Sequence, residues 1–285
     1  MAKILEGALV TASLNESMKK DVEELKSHGI LPTLCIIRVG EEADDLAYER
    51  NAVKRCEKVG VATRLVALPR NIEQASFDRA LMAANGDNSI HGILMFRPLP
   101  AQLDSEKARH MLFPAKDVDG CTDGSLAGVF AGHEVGFPPC TAAAVLEILH
   151  SFDIPVAGKK AAIIGRSLVV GKPAAMMLMK EDATVTVCHT KTRDIDKICR
   201  EADIIISAAG SKYFVDENFV RPGQTVIDVG INYDDETNRI CGDVDFEAAA
   251  EVVDAITPVP GGVGSVTTGI LVRNVITAAK RSCGL

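Results

Sequence analysis

One segment constrains the fold more than any other. The apolar run Ala161-Ala162-Ile163-Ile164 passes into Gly165-Arg166-Ser167-Leu168-Val169-Val170-Gly171-Lys172-Pro173 and then into apolar residues up to about Met179. A short buried strand, a glycine turn and a helix in that order belong to a parallel sheet, because the helix is the crossover that returns the chain for the next strand. Further strand-like runs at 184–187, 204–207 and 226–229 continue the alternation. The first half has the same grammar: a helical charge pattern over 13–28 ending at Gly29, and an apolar strand Thr33-Leu34-Cys35-Ile36-Ile37-Arg38-Val39 closed by Gly40. A helix follows, capped by Asp44 and Asp45 and stopped at Gly60, then a strand over 61–68, a helix over 73–85, and a strand over 92–96 cut off by Arg97-Pro98-Leu99-Pro100. Strands alternating with helices predict an α/β protein with doubly wound parallel sheets.

With 285 residues the chain exceeds a typical single domain. The stretch 117–140 carries five Gly and two Pro without a sustained period and reads as the link between two domains. The expected boundary falls at about residue 140.

A net charge of −8 leaves no dense basic surface for nucleic acid, so an anionic ligand must be held by a local pocket. The apolar runs are too short for a bilayer span and no charged-then-apolar leader opens the chain, so no membrane partner and a cytoplasmic location are expected. Eight cysteines are scattered without a C-x-x-C pair, which predicts reduced, mostly buried thiols and no metal site.

The Gly165-x-Ser167-x-x-x-Gly171 turn between strand and helix has the form of a dinucleotide site. Glycine permits the tight turn, and the helix N-terminus offers free N–H groups to a pyrophosphate. NAD-specific sites usually end the second strand with a carboxylate that binds the ribose hydroxyls. Here that strand ends Val187-Cys188-His189-Thr190-Lys191-Thr192-Arg193, with no carboxylate before Asp194. Arg166, the Thr190 hydroxyl and Lys191 suit a 2′-phosphate instead, which favours NADP.

Three segments together carry a family resemblance: Pro114-Ala115-Lys116-Asp117-Val118-Asp119-Gly120, the Gly165–Pro173 turn, and Thr257-Pro258-Val259-Pro260-Gly261-Gly262-Val263-Gly264. With Pro139-Cys140-Thr141 and Val226-Ile227-Asp228-Val229-Gly230-Ile231-Asn232, the chain resembles the methylenetetrahydrofolate dehydrogenase/cyclohydrolase family over nearly its whole length. The resemblance implies an N-terminal folate-binding domain over 1–140, completed by a last helix over 267–285 that returns to it, a C-terminal Rossmann-type NADP-binding domain over 141–266, a cleft between them, and a homodimer joined through the nucleotide domains. It implies oxidation of 5,10-methylenetetrahydrofolate to the methenyl form, commonly followed by hydrolysis to 10-formyltetrahydrofolate. Carried over, Tyr48 and Asp119 are the catalytic-site residues, Tyr48 packing on the folate and Asp119 hydrogen-bonding the pterin. Leu99, Pro260, Gly261 and Gly262 join them in substrate binding. Thr141, Gly165, Arg166, Ser167, Gly171, Thr190, Ile231 and Thr267 are the implied cofactor contacts. A tyrosine offers a flat apolar face with a polar tip, and a carboxylate accepts from the pterin amino and ring N–H groups.

The sequence departs from the family at two positions. The lysine expected one helical turn after Tyr48 is Ala52, and the glutamine expected before Pro-Leu-Pro is Phe96, followed by Arg97. Lys54 lies about 200° around the helix from position 52 and does not replace the lysine. Hydride transfer needs alignment and exclusion of water, whereas hydrolysis of the methenyl bridge needs a positioned acid/base, typically worth about 10²–10⁴-fold. The expectation is therefore retained NADP-dependent dehydrogenase activity with weak or absent cyclohydrolase activity. The alternatives are the full bifunctional enzyme, with Arg50, Lys54 or Arg97 compensating, a non-catalytic folate and NADP binding protein, or a related dehydrogenase acting on another imine.

Overall fold

The computed structural model describes residues 2–285, which divide into two compact units. The N-terminal unit comprises Ser13–Cys140 and Thr268–Leu285; the C-terminal unit comprises Thr141–Thr267 and the first residues of the chain through Ala12.

In chain order, β1 (Lys3–Ile4) and α1 (Gly7–Ser27) are followed by β2 (Thr33–Val39), α2 (Ala43–Val59), β3 (Ala62–Leu68), α3 (Gln74–Gly86), β4 (Gly92–Met95), α4 (Ser105–Met111) and α5 (Asp123–Ala131). Then come α6 (Cys140–Ser151), β5 (Lys160–Ile164), α7 (Gly171–Lys180), β6 (Thr184–Cys188), α8 (Ile195–Glu201), β7 (Ile204–Ser207) and β8 (Thr225–Asp228). The chain closes with β9 (Asn232–Asp234), β10 (Arg239–Cys241), α9 (Phe246–Ala250), β11 (Ala255–Ile256) and α10 (Val263–Cys283).

In the N-terminal unit, a three-stranded parallel sheet has the order β3-β2-β4. Its central strand β2 is covered on both faces, so its sequence is a continuous apolar run and not an alternation. Cys35, Ile37 and Val39 pack with Phe77 and Leu81 of α3 and with Ile93 and Met95 of β4. Each fully buried side chain of Leu or Phe size contributes about 1.5–3 kcal/mol of transfer free energy. Leu14, Met18, Val22 and Leu25 recur at helical spacing and form the buried stripe of α1.

The C-terminal unit carries a six-stranded parallel sheet of order β1-β11-β8-β7-β5-β6 and a small antiparallel pair, β10-β9. Strand order reverses between β5 and β7, and open α/β sheets bind ligands at that switch point, outside the carboxyl ends of the strands. Ile205, Val226 and Ile256 lie fully buried in its core.

Two sequence expectations need correction. The stretch 117–140 is no simple link: Thr122 caps α5 by accepting the Ser125 N–H at 3.1 Å, which sustains a helix despite the glycines. The N-terminus belongs with the C-terminal unit, because Lys3 and Ile4 pair in parallel with Ala255 and Ile256 of β11. Seven of the eight cysteines are buried free thiols and Cys283 is exposed. Among the described residues no helix is long and apolar enough to cross a membrane.

Candidate functional sites

In the N-terminal unit three chain segments converge on a cluster around Asp119. Helix α2 supplies Tyr48. Its neighbour Glu49 accepts from Arg38 Nε of β2 at 2.8 Å, which pins the helix to the strand end through a nearly buried ion pair. The segment after β4 supplies Phe96 and Arg97; the Phe96 N–H donates to Ile37 O at 3.1 Å, extending the ladder by one residue. The rings of Tyr48 and Phe96 meet edge to face, with centroids 5.7 Å apart and planes inclined 65°.

The third segment is the turn at Asp117–Gly120. The buried Asp117 carboxylate accepts the N–H of Cys121 at 3.0 Å, the N–H and hydroxyl of Thr122 at 2.7 Å each, and the Ser125 hydroxyl at 2.7 Å. On the other side Cys140 Sγ and Asn274 Nδ2 donate to Val118 O, at 3.2 and 2.9 Å. Asp119 is thereby held between two braced neighbours. Burial pushes its carboxyl up to about 6, a rise opposed by the Arg97 guanidinium and reinforced by Asp117. Burial also raises the Tyr48 hydroxyl, with the Asp119 charge adding to the effect, so it stays protonated. Arg97 Nη2 lies 3.6 Å from Asp119 Oδ2, close enough for charge attraction and too long for a good hydrogen bond.

Tyr48, Phe96 and Asp119 are therefore brought together in one cluster. Ala52 is completely buried and Phe96 nearly so, which makes both departed positions apolar interior. Lys54 and Arg50 are exposed. Leu99 packs with the core cluster of the unit, alongside Leu103 and Cys121. Sequence reasoning missed the bracing by Asp117 and Asn274; the Lys-Asp-Val-Asp-Gly string was the signal, since of its two aspartates one has to shape the turn.

In the C-terminal unit the loop from β5 to α7 is closed by its own backbone. Gly165 has φ +119°, and a Cβ there would stand 2.2 Å from Ala208 O, in the loop after β7. A Cβ on Gly171 would stand 2.1 Å from Gly165 O. Both positions admit only glycine for this turn. Ser167 accepts the Val170 N–H on its hydroxyl and the Lys172 N–H on its carbonyl, each at 3.1 Å, leaving its hydroxyl proton free to donate outward.

Residues 166–169 are exposed, as are Thr190 and Lys191 at the end of β6. Asp194, the nearest carboxylate after that strand, lies 3.5 Å from Lys197. Two cations, two hydroxyls and a helix N-terminus suit an anionic ligand, and the exposed Leu168, Val169 and Ile231 offer apolar surface for flat rings. Thr141 is half-buried at the start of α6, and Thr267 is buried with its hydroxyl donating to Val263 O at 3.1 Å. Pro260 and Gly261 are exposed, whereas Gly262 is buried against the Pro258 carbonyl.

Two further aspartates shape this unit's loops. Asp228 at the end of β8 accepts from the N–H groups of Gly230, Asp243 and Val244, and burial pushes its carboxyl up to about 6. Asp243 accepts from the N–H groups of Ala209, Gly210 and Ser211 and from Asn232 Nδ2.

Comparison with known proteins assigns both units. Residues 5–119 match the catalytic domain of tetrahydrofolate dehydrogenase/cyclohydrolase, and residues 139–283 match the NAD(P)-binding domain of the same family. The chain is 49% identical over 286 aligned residues to the bifunctional protein FolD of Carboxydothermus hydrogenoformans, covering 100% of each. Among solved structures it is similar to the bifunctional FolD methylenetetrahydrofolate dehydrogenase/cyclohydrolase of Campylobacter jejuni, with TM-score 0.95, 38% identity and 99% of each chain covered. It is also similar to the Trypanosoma brucei enzyme solved with NADP and an inhibitor, with TM-score 0.92, 34% identity, and 100% of this chain and 99% of that one covered.

Proposed function

This chain belongs to the tetrahydrofolate dehydrogenase/cyclohydrolase family, and on that premise we propose that it oxidises 5,10-methylenetetrahydrofolate to 5,10-methenyltetrahydrofolate with NADP and performs the hydrolytic step weakly or not at all. The single observation that carries this division is the state of positions 52 and 96. A fully buried methyl group and a phenyl ring packed on Tyr48 occupy the places where the family resemblance calls for a lysine and a glutamine.

In this account Tyr48 supplies a flat wall for the pterin, and the ionised Asp119 accepts from its ring N–H and amino group. Pro260, Gly261 and Gly262 let the backbone approach the reactants. Arg166, Ser167, Thr190 and the N-terminus of α7 hold the phosphates of NADP, with Arg166 and Thr190 on the 2′-phosphate. NADP supplies the hydride acceptor. The protein has to align the methylene carbon and exclude water, because the folate nitrogens stabilise the cation left behind.

Hydrolysis asks for more: a group that takes a proton from attacking water and returns it to a folate nitrogen. Arg97 presents only donors and has no acceptor to take a proton from water. Lys54 is exposed on another face of α2. Asp119 is committed to the pterin edge. A second reading, full bifunctionality, draws support from the relatives being bifunctional FolD proteins. Assaying NADP reduction and methenyl hydrolysis separately on the purified protein decides between them. A homodimer joined through the NADP-binding units belongs to the same proposal, and the solution mass measures it.

A further inference from the structure

Arg97 is a polar intrusion at the substrate cluster that the proposed chemistry leaves unused. It follows Phe96 directly, and its guanidinium stands 3.6 Å from the Asp119 carboxylate without a good hydrogen bond to it. Its Nε is buried and has no hydrogen-bond partner. Burying a donor without an acceptor is costly, and such groups in folded proteins ordinarily have a partner. A carboxylate and a guanidinium side by side present acceptors next to donors. The 2-amino-4-oxo edge of a pterin is the complement: two donors, the amino group and N3–H, next to one acceptor, the C4 carbonyl.

We propose that Arg97 is a specificity-determining residue of this chain, donating to the pterin C4 carbonyl while Asp119 accepts from N3–H and the 2-amino group. The inference rests on the folate reading above and deepens it. It assigns to Arg97 the selection of a 4-oxo over a 4-amino ring. A 4-amino group at that place would turn a donor toward the cationic Nη donors beside Asp119 and be rejected.

The test is calorimetric binding of two probes, tetrahydrofolate and its 2,4-diamino counterpart, to the full-length wild type and to Arg97→Leu, Arg97→Gln and Arg97→Lys. The affinity ratio favouring the 4-oxo ring falls about 10–100-fold from wild type to Arg97→Leu, the range expected for a charged hydrogen bond. Arg97→Lys, which keeps a cationic donor, retains part of the ratio. Were Arg97 only a structural counter-ion, both probes would weaken together and the ratio would stay within about threefold; that result overturns the inference. Arg97→Gln carries the same comparison if Arg97→Leu does not fold. A wild type that binds neither pterin refutes the folate reading itself, whereas a wild type that binds tetrahydrofolate with an unchanged ratio across the variants refutes only the role of Arg97.

Discussion

The edge of one ring in the Tyr48–Phe96 pair points at the other, with centroids 5.7 Å apart. That contact joins the side chain proposed to carry the pterin to the residue standing where a glutamine is expected. Ala52, one helical turn from Tyr48, is fully buried. A lysine at position 52 alone would bring an unpaired ammonium into an apolar place, so Ala52→Lys lowers stability by about 2–4 kcal/mol. Ala52→Lys with Phe96→Gln gives the amine a polar neighbour, recovers part of that loss and raises methenyl hydrolysis about 10²-fold or more. Chemical denaturation and a hydrolysis assay on the two variants check both statements.

The raised carboxyl of Asp119 has two pH consequences. In the proposed role it must be ionised to accept from the pterin, so kcat/KM for the folate falls about tenfold per pH unit below its value of about 6. The groups that face it are Arg97, which holds it down, and Asp117, Tyr48 and Cys140. For stability the sign is opposite to that of a salt-bridged carboxylate. A folded value of about 6 against an ordinary 3.8 means the folded state binds the proton more tightly, so its contribution is full below pH 3.8 and is lost as pH rises through about 6. Asp119→Asn is therefore more stable than wild type at pH 8, by roughly 2–3 kcal/mol with the Arg97 attraction already counted, and unfolds at a higher temperature. The gap closes at pH 4. The same variant binds tetrahydrofolate far more weakly, a stability gain taken at the expense of function.

Cofactor choice rests on Arg166 in this account. Arg166→Ala weakens NADP by about 10–100-fold and leaves NAD within about threefold, because only NADP carries the extra phosphate for the guanidinium to hold. Steady-state KM values for the two nucleotides measure the split. Equal weakening of both would place Arg166 on the shared pyrophosphate.

Gly171→Ala tests the dinucleotide turn by geometry. Its new methyl would sit 2.1 Å from Gly165 O, so the turn must open and the helix N-terminus must shift. NADP binding falls at least about 10²-fold, while tetrahydrofolate binding on the same protein, assigned in this account to Tyr48 and Asp119, changes by less than about threefold. Titration of each ligand against the variant separates the two.

Much of this architecture is legible in the sequence because its strands are short, apolar and bounded by glycine. Thr33–Val39 and Lys160–Ile164 lie where the pattern places them. The N-terminal strand is not legible: two residues, Lys3 and Ile4, carry no periodicity and are recruited by pairing with β11 far along the chain. Helix α5 is hidden for another reason. Its glycines argue against a helix, and the cap at Thr122 together with the Asp117 bonds offsets them only after folding brings Asp117 to the site. At the cluster around Asp119, Tyr48 and Asp119 are found by motif, and Phe96 by its departure from the glutamine that the family resemblance implies there. The nearness of Arg97 to Asp119 and its unpartnered Nε depend on side-chain placement across two separate loops, which no local pattern encodes.

The central claim is that this chain separates hydride transfer from hydrolysis, and it is tested most directly by one paired measurement on the wild-type protein. NADP reduction on adding 5,10-methylenetetrahydrofolate and decay of added 5,10-methenyltetrahydrofolate are followed in the same buffer. The account predicts enzyme-dependent NADP reduction with methenyl decay at the buffer rate. Methenyl hydrolysis at a rate comparable to the dehydrogenase turnover would contradict it and make the chain a fully bifunctional enzyme despite Ala52 and Phe96.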